Sequence, residues 1–193
     1  MRTSFDQPIS VSAEDAQAAF LDPDFYAGLG ELPGISAPEV LSFSRPSPGH
    51  AHLVLGYRFA GTLNGPARRI LDPGKLTWAQ VSEVDLATRH TRVEMVPDHY
   101  AGLFSFRGWY ELRDEGEGRS SQHFEGDLRA HVPLLGPLAE RAIATGIRQN
   151  LAATAQLVER YVAGRAPGSA AGPGWHTDAG AGGPGAEPDD PGA

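Results

Sequence analysis

Four candidates for acid–base work lie in one short reach of the chain: His99, Tyr100, Arg107 and Tyr110. General acid–base chemistry needs such a group within hydrogen-bond reach of a bound substrate. Spacing pairs none of the four. His99 follows Pro97-Asp98 in a turn, where an exposed imidazole is the ordinary outcome. Arg107 alternates outward from Phe106 along a strand. A second row, His123, Glu125, Asp127, Arg129 and His131, sets metal-ligating side chains on one strand face. At about 3.3 Å per residue its two histidines stand roughly 26 Å apart and cannot share an ion. His123 with Glu125, or His50 with His52, supplies two ligands where a structural zinc takes four. The expectation is a solvated polar face, with no metal, no cofactor and no assigned catalytic residue. The chain has no cysteine, which excludes thiolate nucleophiles, cysteine zinc sites and disulfides, and suits a reducing compartment. Gly180 to Gly185 spells G-x-G-x-x-G, but without the strand before and helix after that a dinucleotide fingerprint requires.

Composition narrows the partners. The 193 residues are 40% hydrophobic and carry a net charge of −8. Binding to nucleic acid would call for a basic stripe to neutralise phosphates, and the sequence has none. The first residues hold no apolar run of signal-peptide type, and no run is long enough to span a bilayer. A cytoplasmic protein is expected, with neither nucleic acid nor stable membrane insertion in its role.

The elements that must position any site read as follows. Thr3 to Ser10 is a short strand, with Pro8 suited to a sheet edge. Ser12 caps a helix over Ala13 to Leu21, and Asp22 caps a second that starts at Pro23 and carries Phe25, Tyr26 and Leu29. Six strands follow: Glu39 to Arg45, Ala51 to Ala60, Leu76 to Leu86, Arg89 to Val96, Leu103 to Arg113 and Ser120 to Val132. Their short loops imply an antiparallel meander. Gly65 to Leu71 is a basic, helical connection. Pro133 to Gly164 is one long helix, opened by a Pro-Leu-Leu-Gly-Pro corner. Leu138, Ala142, Ile143, Gly146, Ile147, Leu151, Ala155, Val158, Tyr161 and Val162 form its buried face. Glu140, Arg141, Arg148, Gln149, Gln156, Glu159 and Arg160 form the opposite one. Gly146 costs about 1 kcal/mol in mid-helix. Together with Ala142 and Ala155 it leaves room for a closely packed strand, the expectation from dense interiors, or for a ligand. Residues 165–193 lack Leu, Ile, Val, Phe, Met and Tyr, and read as a disordered acidic tail.

This order resembles the helix-grip fold of the START-like, or Bet v 1-like, superfamily. Ser12 to Gly30, with AEDAQAAFLDPDFYAGLG, resembles the helix pair of those domains. The closing run GDLRAHVPLLGPLAERAIATGIRQNLAATAQLVERYVAG is similar to the DUF2505 family. The resemblance covers residues 1–164 and leaves out the tail. It implies an α+β domain in which a curved, antiparallel, seven-stranded sheet wraps a long C-terminal helix. It carries no activity to transfer. It also implies a cavity walled by Leu53, Leu55, Tyr57, Phe59, Val93, Met95, Phe104, Phe106, Tyr110, Phe124, Leu128, Ile143, Ile147 and Leu151. Such a wall suits a small hydrophobic ligand, lipid-like or aromatic, bound without catalysis in a void of about 300 Å³ or more. Two other readings stay open. One is a cyclase- or aromatase-type enzyme using the same space. The other is a protein-interaction module using Trp109 and the outer face of the last strand.

Overall fold

The structure is a computed structural model and describes residues 1–132 and 135–165. Strand β1 (Arg2–Ile9) leads into two short helices, α1 (Ala13–Phe20) and α2 (Pro23–Ala27). Next come β2 (Glu39–Ser47), β3 (His50–Arg58), a one-turn helix α3 (Gly65–Arg68), β4 (Thr77–Asp85) and β5 (His90–Pro97). The chain closes with β6 (Phe104–Gly116), β7 (Arg119–Ala130) and the long helix α4 (Gly136–Gly164). Side chains fix the helix starts. Ser12 Oγ accepts the Asp15 N–H at 3.0 Å, and Asp22 Oδ1 accepts the Asp24 N–H at 3.0 Å. The corner residues Pro133 and Leu134 lie outside the described residues. So do 166–193, which include nearly all of the expected tail and its glycine run.

The strands form one antiparallel sheet in the order β1-β7-β6-β5-β4-β3-β2. β1 is therefore an edge, and Pro8, opposite Ser121, withholds its missing donor where no outer strand needs it. Period-two alternation turns Leu53, Leu55, Val93, Phe106, Phe124 and Leu128 to one face, where all six are buried. A pair of glycines shapes that face. Gly108 and Gly126 are directly opposite on β6 and β7, and the Phe106 ring lies across both. A Cβ on Gly126 would stand 2.5 Å from that ring. With the space clear, Phe106 stacks on Phe124 (centroids 5.8 Å, planes 1° apart), and Phe124 stacks on Phe5 of β1 at 6.1 Å.

Helix α4 crosses the concave face and packs on β1, β7 and α1, with no comparable packing on β3, β4 or β5. This is the helix-grip arrangement expected from the sequence. The helix is rolled relative to the expected stripe, because it leans toward the β1 edge. Leu138 is 54% exposed and Ala142 is exposed, while Ala144, Ala155 and Val158 take the buried positions. The flank read as solvent-facing makes contacts instead. Glu140 Oε1 accepts the Ala130 N–H at 3.2 Å, and Glu159 Oε1 accepts the Ser10 N–H at 2.7 Å. The Arg148 guanidinium sits 4.9 Å over the Phe5 ring. At its far end Tyr161 Oη donates to Asp22 Oδ2 at 2.8 Å, and Arg165 pairs with the same oxygen at 3.1 Å. The joint between α1 and α2 thus anchors the helix's last turn.

Candidate functional site

The inward positions of β3, β4, β5 and β6 together with the facing side of α4 make the candidate site. Two apolar clusters meet there. One holds Leu53 and Leu55 with Phe20, Phe25 and Val158, and Tyr57 and Tyr110 pack against it. The other holds Val93, Phe106, Phe124 and Leu128, packed by Met95, Tyr110, Ile143, Ile147 and Leu151. Tyr110 belongs to both and sits where they join. Of the expected wall residues, Phe59 and Phe104 join neither cluster. Phe59 lies past the end of β3, bridged to Ile35, with its ring over Gly61. Phe104 is half-buried at the start of β6, opposite Ala130.

Sequence reasoning missed the contribution of β4. Trp78, Gln80, Ser82 and Val84 point inward, opposite Tyr57, Leu55, Leu53 and Ala51 of β3. Trp78 stacks on Tyr57 at 5.8 Å. The signal was weak because Gln80 and Ser82 interrupt the inward set, while Ala79 and Val81 make the outward set look equally apolar. Gln80 Nε2 donates to Ser82 Oγ at 3.5 Å, a polar patch on an otherwise greasy floor.

The wall lies deep in the protein but is not sealed. Burial pushes the Tyr57 and Tyr110 phenols above their ordinary value, with their mutual repulsion adding to the Tyr57 shift. Even so, Tyr57, Trp78, Gln80, Met95, Tyr110, Ile143, Ile147 and Leu151 are only half-buried. On α4, a Cβ added to Gly146 would meet nothing within 4 Å among the described residues. Close approach of a strand, the expectation for this glycine, is therefore not its role; it borders open space. Gly146→Ala should stabilise the protein by about 0.5–1 kcal/mol through helix propensity alone. Chemical denaturation would show this as a rise in midpoint at constant m.

A small recess of about 10 Å³, room for about one water, adjoins this wall at its α1 end. Gln17, Phe20, Leu21, Val84, Arg89, Thr91, Tyr110 and Leu112 line it, so it shares only Tyr110 with the expected wall. A larger open groove of about 380 Å³ lies on the opposite face of the sheet, along Val81, Glu83, His90, Arg92, Glu94, Arg107 and Trp109. There Trp109 stacks on His90 at 5.2 Å and tilts against His123 at 5.4 Å. His123 shares a hydrogen bond with Asp6 at 2.7 Å. The hydrogen bonds from Arg2 and His123 hold the Glu125 carboxyl below its usual range. Arg107 pairs with Glu94 at 2.9 Å. Among the described residues no three His, Cys, Asp or Glu side chains come together as metal ligands.

The acid–base candidates disperse. His99 is exposed, Arg107 points outward, and Tyr100 Oη accepts the Asp72 N–H at 3.1 Å to tie two loops together. Tyr110 alone faces the site. The buried and half-buried inward positions of β3 to β6 carry no carboxylate, imidazole or amine.

The phenols have a consequence for pH. Burial raises Tyr26, Tyr57 and Tyr110, and Tyr161 is pushed up to about 12, chiefly by burial and then by its bond to Asp22. Unfolded phenols ionise near pH 10. Above about that pH the folded chain holds more protons than the unfolded one, so stability falls as pH rises. The expected result is a denaturation midpoint that is flat from about neutral pH to about pH 10 and drops steadily above it. Phenolate absorbance should appear together with unfolding.

Among the described residues no helix is long and apolar enough to cross a membrane. Solved structures share the fold with TM-scores above 0.5, among them the following. The aromatase/cyclase Zhui from Streptomyces sp. R1128 is 16% identical, with 87% of this chain and 98% of that one covered at a TM-score of 0.58. Norcoclaurine synthase from Thalictrum flavum is 17% identical, with 86% and 87% covered at 0.57. The same enzyme in complex with dopamine and hydroxybenzaldehyde is 17% identical, with 84% and 86% covered at 0.54. At these identities the likeness is one of fold. No curated protein matches the sequence. The family profile of DUF2505, described as a protein of unknown function, matches residues 4–162, and the chain belongs to that family.

Proposed function

We propose that the concave face of the sheet, with α4 as its cover, takes up a small hydrophobic molecule and holds it without chemical change. The domain that does this spans residues 1–164, and the tail lies outside it. The observation that carries the reading is a deep wall of aromatic and aliphatic side chains that stays partly accessible. Tyr57, Trp78, Met95 and Tyr110 form its floor, and Ile143, Ile147 and Leu151 face them beside the open space at Gly146. Apolar surface left accessible inside a fold is what a ligand pocket offers. The recess of about 10 Å³ beside Tyr110 is too small for such a ligand. Uptake therefore widens the gap between α4 and β3, β4 and β5, the side on which the helix packs least.

Binding without catalysis follows from the composition of the wall. A cyclase needs a base or acid poised near neutral pH, and the inward groups are neutral phenols, amides and hydroxyls. The test is titration with 2-naphthol, followed by its fluorescence, on the wild type and on Gly146→Phe. The wild type should saturate. The variant, with a ring in the open space, should bind at least about tenfold more weakly while keeping its melting temperature. Equal binding by both proteins would remove the concave face as the site.

A further inference from the structure

On α4, Asn150 falls one turn after Gly146, on the face that carries Ile143, Ile147 and Thr154. Its Oδ1 is closed to solvent and has no hydrogen-bond partner among the described residues. Buried acceptors in native proteins are nearly always paired, so an orphan calls for an explanation. Its position supplies one. It stands beside the open space at Gly146, on the side of α4 turned away from β1, where Arg148 meets Phe5. On the inward face of the sheet Tyr57, Gln80 and Ser82 are the polar groups among apolar side chains of β3 and β4.

We infer that Asn150 is the specificity-determining residue of the concave site, and that its amide oxygen accepts a hydrogen bond from a hydroxyl or N–H on the ligand. This rests on the proposed binding role and narrows its ligand class. A carboxylate has only lone pairs to offer, so it cannot pair with the Asn150 oxygen and could be met only by turning the amide to present Nδ2. The inward strand positions hold no cation to neutralise it, and a buried unpaired charge is strongly disfavoured. Fatty acids are therefore poor ligands. A compact apolar body, aromatic to match Tyr57, Trp78 and Phe106, with one donor group, is a good one. Its ring would lie against the floor while its donor reaches α4.

The test compares 2-naphthol, 2-methoxynaphthalene and 2-naphthoate on the wild type, Asn150→Leu and Asn150→Ala, by calorimetry or probe fluorescence. The three probes share a ring system and differ in carrying a donor, only an acceptor, or a charge. In the wild type 2-naphthol should bind about tenfold more tightly than 2-methoxynaphthalene, the scale set by leaving a buried acceptor unmatched. Naphthoate should bind most weakly. Asn150→Leu should erase the preference while 2-methoxynaphthalene keeps its affinity. It should also melt above the wild type, since it removes an orphaned acceptor. Asn150→Ala should erase the preference too, which guards against a repacking artefact. Equal affinities in the wild type, or a preference that survives both variants, would overturn the inference and leave the cavity reading standing. Failure of all three probes to saturate the wild type would overturn the cavity reading itself.

Discussion

Gly108→Ala is expected to destabilise the protein by about 3 kcal/mol, at the upper end of the usual overpacking cost. In a domain of this size that lowers the melting temperature by roughly 6–12 °C. A single methyl has this effect because of what it meets. The added carbon would lie 2.5 Å from the Glu125 carbonyl oxygen, 2.8 Å from the Phe106 ring and 3.1 Å from the Gly126 Cα. The carbonyl belongs to the β7 backbone and cannot turn aside as a side chain would. Relief must come from spreading β6 from β7, which breaks the ladder and the Phe106–Phe124 stack. Gly126→Ala collides with the ring rather than with backbone at its two shortest distances, so its loss should be smaller. Thermal melts of the two variants beside Gly146→Ala would rank them, with Gly108→Ala lowest and Gly146→Ala above the wild type. A Gly108→Ala melt within about 2 °C of the wild type, corresponding to about 0.5–1 kcal/mol at most, would mean that the sheet opens freely at this pair.

Asp22→Ala should cost about 2–4 kcal/mol, combining a lost N-cap with a half-buried phenol left without its acceptor. Asp22 is buried and serves two elements. One oxygen caps α2 through the Asp24 N–H, and the other accepts from Tyr161 and faces Arg165. The half-exposed Arg165 contributes little to this sum, because solvent screens it. Asp22→Asn retains the cap acceptor and should lose roughly half as much. Hydrogen exchange would separate the two effects. The last turn of α4 should exchange faster in both variants, while the start of α2 should loosen only in Asp22→Ala.

The sequence disclosed the fold more fully than the site. Alternation along β7 was clear: Phe124, Leu128 and Ala130 are buried, while Asp127 and Arg129 are exposed. Ser12, Asp22 and Pro23 announced both short helices through cap chemistry, and those helices begin where the caps place them. Periodicity gives the phase of a helix only as well as its neighbours are known, and here it misled. Leu138 fits the apolar stripe yet stands exposed, because α4 leans on the β1 edge and draws Glu140, Arg148 and Glu159 into contact. The candidate wall was legible where apolar residues alternate with polar ones, on β3 and β7. It was illegible on β4, where polar Gln80 and Ser82 face inward. Asn150 and the tie from Asp22 to Tyr161 were beyond reach for a different reason. Their roles depend on which atoms surround a single oxygen, and no spacing rule encodes that.

In the proposed function a small molecule binds on the concave face and not in the outer groove. Methyl NMR during titration with 2-naphthol tests it most directly. Met95, Ile143, Ile147 and Leu151 report on the concave side, and Val54, Val81 and Val96 on the outer face. The account predicts saturable shifts for the first set, largest at Met95 and Ile147, with the second set still. Shifts at Val81 and the Trp109 indole, with the concave methyls unmoved, would contradict it.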